Sequence, residues 1–164
     1  MNERQVVILM GSDSDASVMQ AAADVLTKFG VGYTMTVESA HRSPARVKRL
    51  IDEAHADGVG VFIVGAGAAA HLAGVVAAHS SLPVVGVPID STALKGMDAL
   101  LATVQMPPGV PVATMAIGKA GATNAAVLAV QILAMGDSAL VDKLTEYKAS
   151  LVAKVEQAAA RVEG

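Results

Sequence analysis

Cysteine and tryptophan are both missing from this chain of 164 residues, and aromatic side chains amount to only 2%. Without cysteine there is no disulfide, no thiolate nucleophile and no cysteine-based zinc site. That usage fits a reducing compartment, and a cytoplasmic location is expected. Two Phe and two Tyr are too few to build a platform for stacked bases. Twelve basic residues against fifteen acidic ones give a net charge of −3, so no electrostatic footprint for nucleic acid exists. No His, Asp or Glu set has the spacing of metal ligands, and no metal is expected. Glu3 and Arg4 run straight into an apolar stretch, which argues against a signal peptide.

Charge of either sign is scarce, at 16% against a typical ~25%. Apolar residues make up 53%, which excludes disorder. So little polar surface is hard to spread over a lone small domain, and burial between subunits is the expected answer. Residues 58–89 carry no Asp, Glu, Lys or Arg, so a hydropathy window flags a membrane helix there. Gly60, Gly65, Gly67, Gly74 and Pro83 interrupt the stretch, and aromatic and basic flanks are missing. It reads instead as buried strand, glycine turn, buried helix and buried strand, with no membrane partner.

Apolar runs alternate with helical patterns along the whole chain. Strands are expected at 6–10, 33–37, 59–64, 83–87 and 112–117, where short runs are almost wholly apolar. Helices are expected at 16–29, 44–55, 69–78, 93–104 and 121–135. Gly30 stops the first, and Ser43 caps the second with Pro44 at its first position. Strand–helix alternation with right-handed crossovers gives a parallel sheet covered on both faces. Five strands in one domain, 1–164, fit a flavodoxin-like three-layer sandwich. Residues 137–162 add a C-terminal helix whose Leu140, Leu144, Tyr147, Leu151, Val155 and Val162 form one stripe. The sheet already has its covering helices, so this one closes the domain or, the favoured expectation, packs on a neighbouring subunit.

Ligands of such sheets bind beyond the carboxyl ends of the strands. Three polar loops converge there: Gly11-Ser12-Asp13-Ser14-Asp15, Ser39-Ala40-His41-Arg42-Ser43, and Gly65-Ala66-Gly67-Ala68-Ala69-Ala70-His71. Ser12 and Ser14 precede a helix start, where free amides favour a phosphate or where the hydroxyls simply cap. Asp13 and Asp15 repel phosphate, and a carboxylate suits a ribose diol better. Arg42 offers a planar fork to phosphate, and His41 is of the residue type best suited to proton transfer. His71 stands in a loop small enough for close ligand approach. His55 and His79 lie outside these loops. Gly65-x-Gly67-x-x-Ala70 is a loose dinucleotide fingerprint on the wrong strand, and Gly118-Lys119 lacks the rest of a P-loop. A phospho-receiver domain would need an aspartate after the third strand, where this chain has glycine and alanine.

Four ordered segments carry a resemblance: MGSDSD at 10–15, SAHRSP at 39–44, GAGAAAHLAG at 65–74, and ALKGMDALLATVQMPPGVPVATMAIGKAGATNAA at 93–126. They resemble the class I N5-carboxyaminoimidazole ribonucleotide mutases of purine biosynthesis, the catalytic-subunit family of phosphoribosylaminoimidazole carboxylase. The resemblance implies a flavodoxin-like homo-octamer with sites at subunit contacts. It implies that a carboxylate moves from nitrogen to ring carbon four by decarboxylation and recarboxylation, with no cofactor. On matching positions, Ser12, Ser14 and Arg42, with Ser39 nearby, take the phosphate, and Asp15 the ribose. His41 is the general acid/base, and His71, counted with it as catalytic, belongs to the loop that holds the base. Ala40, Gly65, Ala66, Gly67 and Leu72 hold the base and the released carbon dioxide. Two positions depart from the family pattern: Ala68 stands where glycine is usual, and Ala73 where proline is usual. Rival expectations are a direct carboxylase of aminoimidazole ribonucleotide and a flavodoxin-like nucleotide-binding module.

Overall fold

The computed structural model describes residues 5–164, so Glu3 and Arg4, on which the signal-peptide argument rests, lie outside the described residues. Five parallel strands form one sheet in the order β2-β1-β3-β4-β5: β1 (Val6–Met10), β2 (Tyr33–Val37), β3 (Val61–Gly67), β4 (Val84–Ile89) and β5 (Ala113–Thr114). This is the expected flavodoxin-like order, with its switch point between β1 and β3. The helices are α1 (Ala16–Phe29), α2 (Pro44–Ala56), α3 (Leu72–His79), α4 (Met97–Val104), α5 (Lys119–Leu133) and α6 (Ser138–Glu163).

Strand alternation divides the core into two layers. Val6, Ile8 and Met10 of β1, with Ile63 of β3 and Val85 and Val87 of β4, pack beneath α1 and α5. Val7 and Leu9, with Phe62 and Val64, pack beneath α2 and α3, against Val47, Ile51, Leu72 and Val76. Both faces of β1, β3 and β4 are buried, which is why these strands read as unbroken apolar runs. Gly30 ends α1 at φ 71°, and its N–H closes back on Leu26 and Thr27.

Several boundaries differ from expectation, each for a local reason. The third strand starts at Val61 rather than 59. Gly58 turns at φ 71°, and Val59 N–H returns to Ala54 O at 3.0 Å to finish α2. It then runs on to Gly67, because Gly65, Ala66 and Gly67 pair with Val87, Pro88 and Ile89 of β4. The third helix begins at Leu72, after two tight turns closed by Ala70 N–H on Ala68 O and His71 N–H on Ala69 O. The expected helix at 93–104 starts only at Met97, since Lys95 and Gly96 hold φ 51° and 82°, outside helical space. The expected strand 112–117 shrinks to Ala113–Thr114. Its partner β4 contains Pro88, which has no N–H to return a ladder bond. The fifth helix spans Lys119–Leu133 rather than 121–135. Ser43 stands before α2 with Pro44 in the first turn, but it is not a side-chain cap. Its Oγ donates to Ser39 O at 3.1 Å instead.

The last helix is 26 residues long, or about 39 Å at 1.5 Å per residue. Only its first half touches the domain. Leu140 is buried, and Leu144 and Tyr147 pack on the α1–α5 layer. Tyr147 lies against Phe29 with ring centroids 5.4 Å apart, and Lys143 Nζ donates to Phe29 O at 2.7 Å. Beyond Tyr147 the stripe is uncovered: Val155 is 68% and Val162 87% exposed. No helix among the described residues is long and apolar enough to cross a membrane, so the uncharged stretch 58–89 is divided among β3, α3 and β4 as expected.

Candidate active site

A cavity of about 360 Å³ opens at the carboxyl ends of the strands, and all three expected loops line it. The first loop leaves β1 as a single 3-10 turn over Asp13–Asp15. Ser12 caps it: its Oγ accepts the Ser14 N–H at 3.3 Å, and the Asp15 carboxylate accepts the Ser12 N–H at 3.2 Å. Capping is therefore real at Ser12. The hydroxyls of Ser12 and Ser14 still border the cavity, 2.9 Å from one another. Asp13 is exposed and is not in the wall.

Asp15 is buried beneath this turn, 5% exposed. Burial pushes its carboxyl above the ordinary carboxylate value, and the negative charge of Asp13 adds to the rise. Hydrogen bonds from Ser12 N–H and Ser14 oppose it. The result is an acceptor already held in position before any diol reaches it.

The second loop carries the charge and the base. Ser39 Oγ accepts both the Arg42 N–H at 3.1 Å and its Nε–H at 3.3 Å, and Arg42 Nη2 donates to Gly11 O at 3.3 Å. The guanidinium thus bridges the first and second loops and remains exposed, with donors left over for an anion. His41 Nε2 lies 2.8 Å from His71 Nδ1, with the rings near perpendicular at 80°. One proton lies between these two nitrogens, so one ring donates while the other accepts. This bond brings together the two histidines singled out from sequence, one from each loop. His55 is at the other end of the sheet, bonded to Ser80 Oγ at 3.0 Å.

The third loop supplies Ala66, Gly67, Ala68, Ala69 and Leu72 to the wall. Two sequence-expected residues are not in the wall: His71, which reaches the site through its bond to His41, and Gly65. Gly65 lies in β3 behind the cavity, where a Cβ would stand 2.4 Å from Met19 Sδ, so the glycine admits core packing rather than a ligand. Ala68 holds φ 51°, a left-handed conformation that the usual glycine would take without strain. Sequence reasoning missed Gly11, which lines the wall, and Ser91. Ser91 follows β4, and its Oγ fills the space where a Cβ on Gly67 would be, 2.0 Å away. The signal was available, because the fourth loop ends at the same sheet edge as the other three. Among the described residues, no three His, Asp or Glu side chains come together to hold a metal ion.

The model of the family described as AIR carboxylase matches residues 5–154. The N5-carboxyaminoimidazole ribonucleotide mutase of Pyrococcus horikoshii is 50% identical over 158 residues, covering 96% of this chain and 88% of its own. The protein of that name from Escherichia coli K12 is 48% identical over 147 residues, covering 90% and 87%. Among solved structures, Treponema denticola PurE superposes with a TM-score of 0.86 at 29% identity, over 95% of this chain and 96% of that one.

Proposed function

The chain belongs to the AIR carboxylase family, and we infer that it converts N5-carboxyaminoimidazole ribonucleotide into 4-carboxy-5-aminoimidazole ribonucleotide in purine biosynthesis, as its relatives' name states for them. The observation that carries the chemistry is the His41–His71 bond at a cavity also walled by Arg42 and serine hydroxyls. Groups suited to proton transfer and to anion binding stand together there, which supports the reading.

In this reading Ser12, Ser14, Ser39 and Arg42 take the phosphate, with Arg42 as the charged fork. Asp15 accepts the ribose hydroxyls. Ala40, Ala66, Gly67 and Leu72 wall the base. The nitrogen–carboxylate bond breaks, carbon dioxide leaves, and the electron pair stays on nitrogen, which takes a proton from His41. Carbon four then attacks the carbon dioxide, and its own proton returns to His41. The cycle gives and recovers one proton, so no other reactant is needed. His71 holds the His41 ring and tautomer. His41→Asn is expected to lower turnover by ~10²–10⁴-fold. The ribonucleotide should still bind, as measured by calorimetry.

The direct carboxylase differs in its carboxyl source, and a labelled substrate separates the two. The N5-carboxy compound, labelled in its carboxylate, is supplied in excess unlabelled bicarbonate. Retention of most label in the product at early turnover supports the mutase. Complete loss of label, with faster product formation from the uncarboxylated ribonucleotide and carbon dioxide, selects the carboxylase.

Residues 1–164 are read as one catalytic unit of a cytoplasmic homo-octamer. Leu94, Met97, Leu101 and Val104, each 47–64% exposed, repeat at three- and four-residue spacing along and just ahead of α4, an apolar stripe that supports self-association. The uncovered half of α6 supports it further.

A further inference from the structure

We propose that Glu38 and Arg46 are positioning residues for this reaction: their ion pair clasps the loop bearing Ser39, His41 and Arg42 and fixes the His41 ring for proton transfer. The proposal rests on the mutase reading of the site given above.

Glu38 follows β2 directly, and its N–H donates to Met10 O at 2.8 Å, pinning the strand end beside β1. Its side chain is 1% exposed. Arg46, in the first turn of α2, donates from Nε to Glu38 Oε1 at 2.7 Å while its own side chain is 56% exposed. The other carboxylate oxygen, Oε2, is buried and has no partner among the described residues. A carboxylate taken out of water needs every partner available, and an apolar side chain of similar size would fill such a place at less cost. Packing alone therefore does not account for this carboxylate.

Its placement does. Residue 38 opens the catalytic loop and residue 46 stands in the helix turn that follows it, so the pair spans the loop. Inside the loop, Ser39 O accepts the Ser43 N–H at 2.9 Å and Ser43 Oγ–H at 3.1 Å, and Ser39 Oγ accepts the Arg42 N–H. Those bonds shape the loop internally, whereas the Glu38–Arg46 pair sets where β2 hands it to α2. His41 must hold a 2.8 Å bond to a ring on another loop, and a misplacement of about 1 Å at a reacting centre costs as much as ~10²-fold in rate. Arg49 borders the same hollow beside Glu38, yet its Nε reaches Glu53 only at 3.9 Å, so it serves as a control.

The test compares the unaltered chain with Arg46→Met, Arg46→Lys, Arg49→Met and the double variant Glu38→Gln/Arg46→Met, which buries no unpaired charge and so keeps the fold. Each is assayed for kcat and KM, and the Hε1 resonances of His41 and His71 are followed in protein without substrate. Arg46→Met should lower kcat on the order of tenfold or more. Arg46→Lys should recover part of it, and the double variant should show the same loss rather than a multiplied one. Both histidine resonances should move in Arg46→Met and in the double variant, and neither in Arg49→Met. Unchanged kcat in the double variant overturns the proposal. So does a rise in KM alone with the histidine resonances in place, because Arg46 would then be touching substrate itself. If the unaltered chain fails to convert the N5-carboxy compound, the functional reading falls, and the histidine resonances still decide the clasp.

Discussion

Asp15 sets stability against binding within a single side chain. Burial raises its carboxyl pKa in the folded chain, so the fold holds that proton more tightly than the unfolded chain does. Stability is then lost as pH rises from the ordinary value of 3.8 through the raised one, and at neutral pH the ionised group is a net cost. Asp15→Asn should melt higher than the natural chain at pH 7 and show no gain below pH 3.8. Equal shifts at both pH values would remove ionisation as the cause. The same variant should bind the ribonucleotide more weakly by about 1.5–3 kcal/mol, the range for a hydrogen bond to a charged acceptor. At Ala68 the strain is in the backbone. A left-handed alanine costs ~1–2 kcal/mol, and glycine gives back about 0.4–1 through its freer unfolded chain. Ala68→Gly should therefore stabilise the fold slightly, raising the calorimetric melting temperature by a degree or two. Much of the site was legible in the sequence because polar residues clustered after apolar runs: the cavity wall includes Ser12, Asp15, Ser39, His41 and Arg42. Gly65 packs against Met19 behind the wall, and a glycine that yields to a core methionine looks, in a string of letters, like one that yields to a ligand. Ser91 went unseen because the loop after the fourth strand was not read with the other three.

Among the elements, α6 divides in burial at Tyr147. Its first half is anchored by Leu140, Leu144 and Tyr147, whereas Leu151, Val152 and Val155 are 42–68% exposed. Leu151→Glu/Val155→Glu should leave helix content and the domain's own packing unchanged while shrinking the assembly, as judged by circular dichroism and light scattering. An assembly of unaltered mass would show that this half of the helix faces solvent. The stripe itself was visible in the sequence, but the point where its cover runs out depends on where α1 and α5 stop. Strands β1 and β2 and helix α1 matched their expected bounds because one signal, apolar period or capping glycine, governed each of them. Expectation failed where two signals competed. The apolar letters of 112–117 suggested a full strand, but pairing also requires donors from β4, and Pro88 has none. Likewise 93–96 has helical composition, and the left-handed Lys95–Gly96 turn overrides it.

For the whole molecule, the order β2-β1-β3-β4-β5 sends each connecting loop that matters to one edge of the sheet. That is why three separated motifs become one cavity, and why fold class could be read from alternation alone. Quaternary arrangement is not legible this way, since alternation along one chain does not say what covers an exposed stripe. The seam between α1 and α5 has a further consequence. Ala22 and Ala23 of α1 and Ala122, Ala125, Ala126 and Ala129 of α5 are all buried, and at the start of α5 a Cβ on Gly121 would fall 1.6 Å from Ala116 O of the preceding segment. Helices joined by such short side chains have no long rotamers to loosen one at a time, so water enters only if the backbones separate together. Amide hydrogens of α5 from Ala122 to Val130 should then exchange with deuterium at the rate of global unfolding, later than those of α2 or the far half of α6. In a chain this poor in large aromatic side chains, the slowest-breathing region is the one lined by its smallest residues.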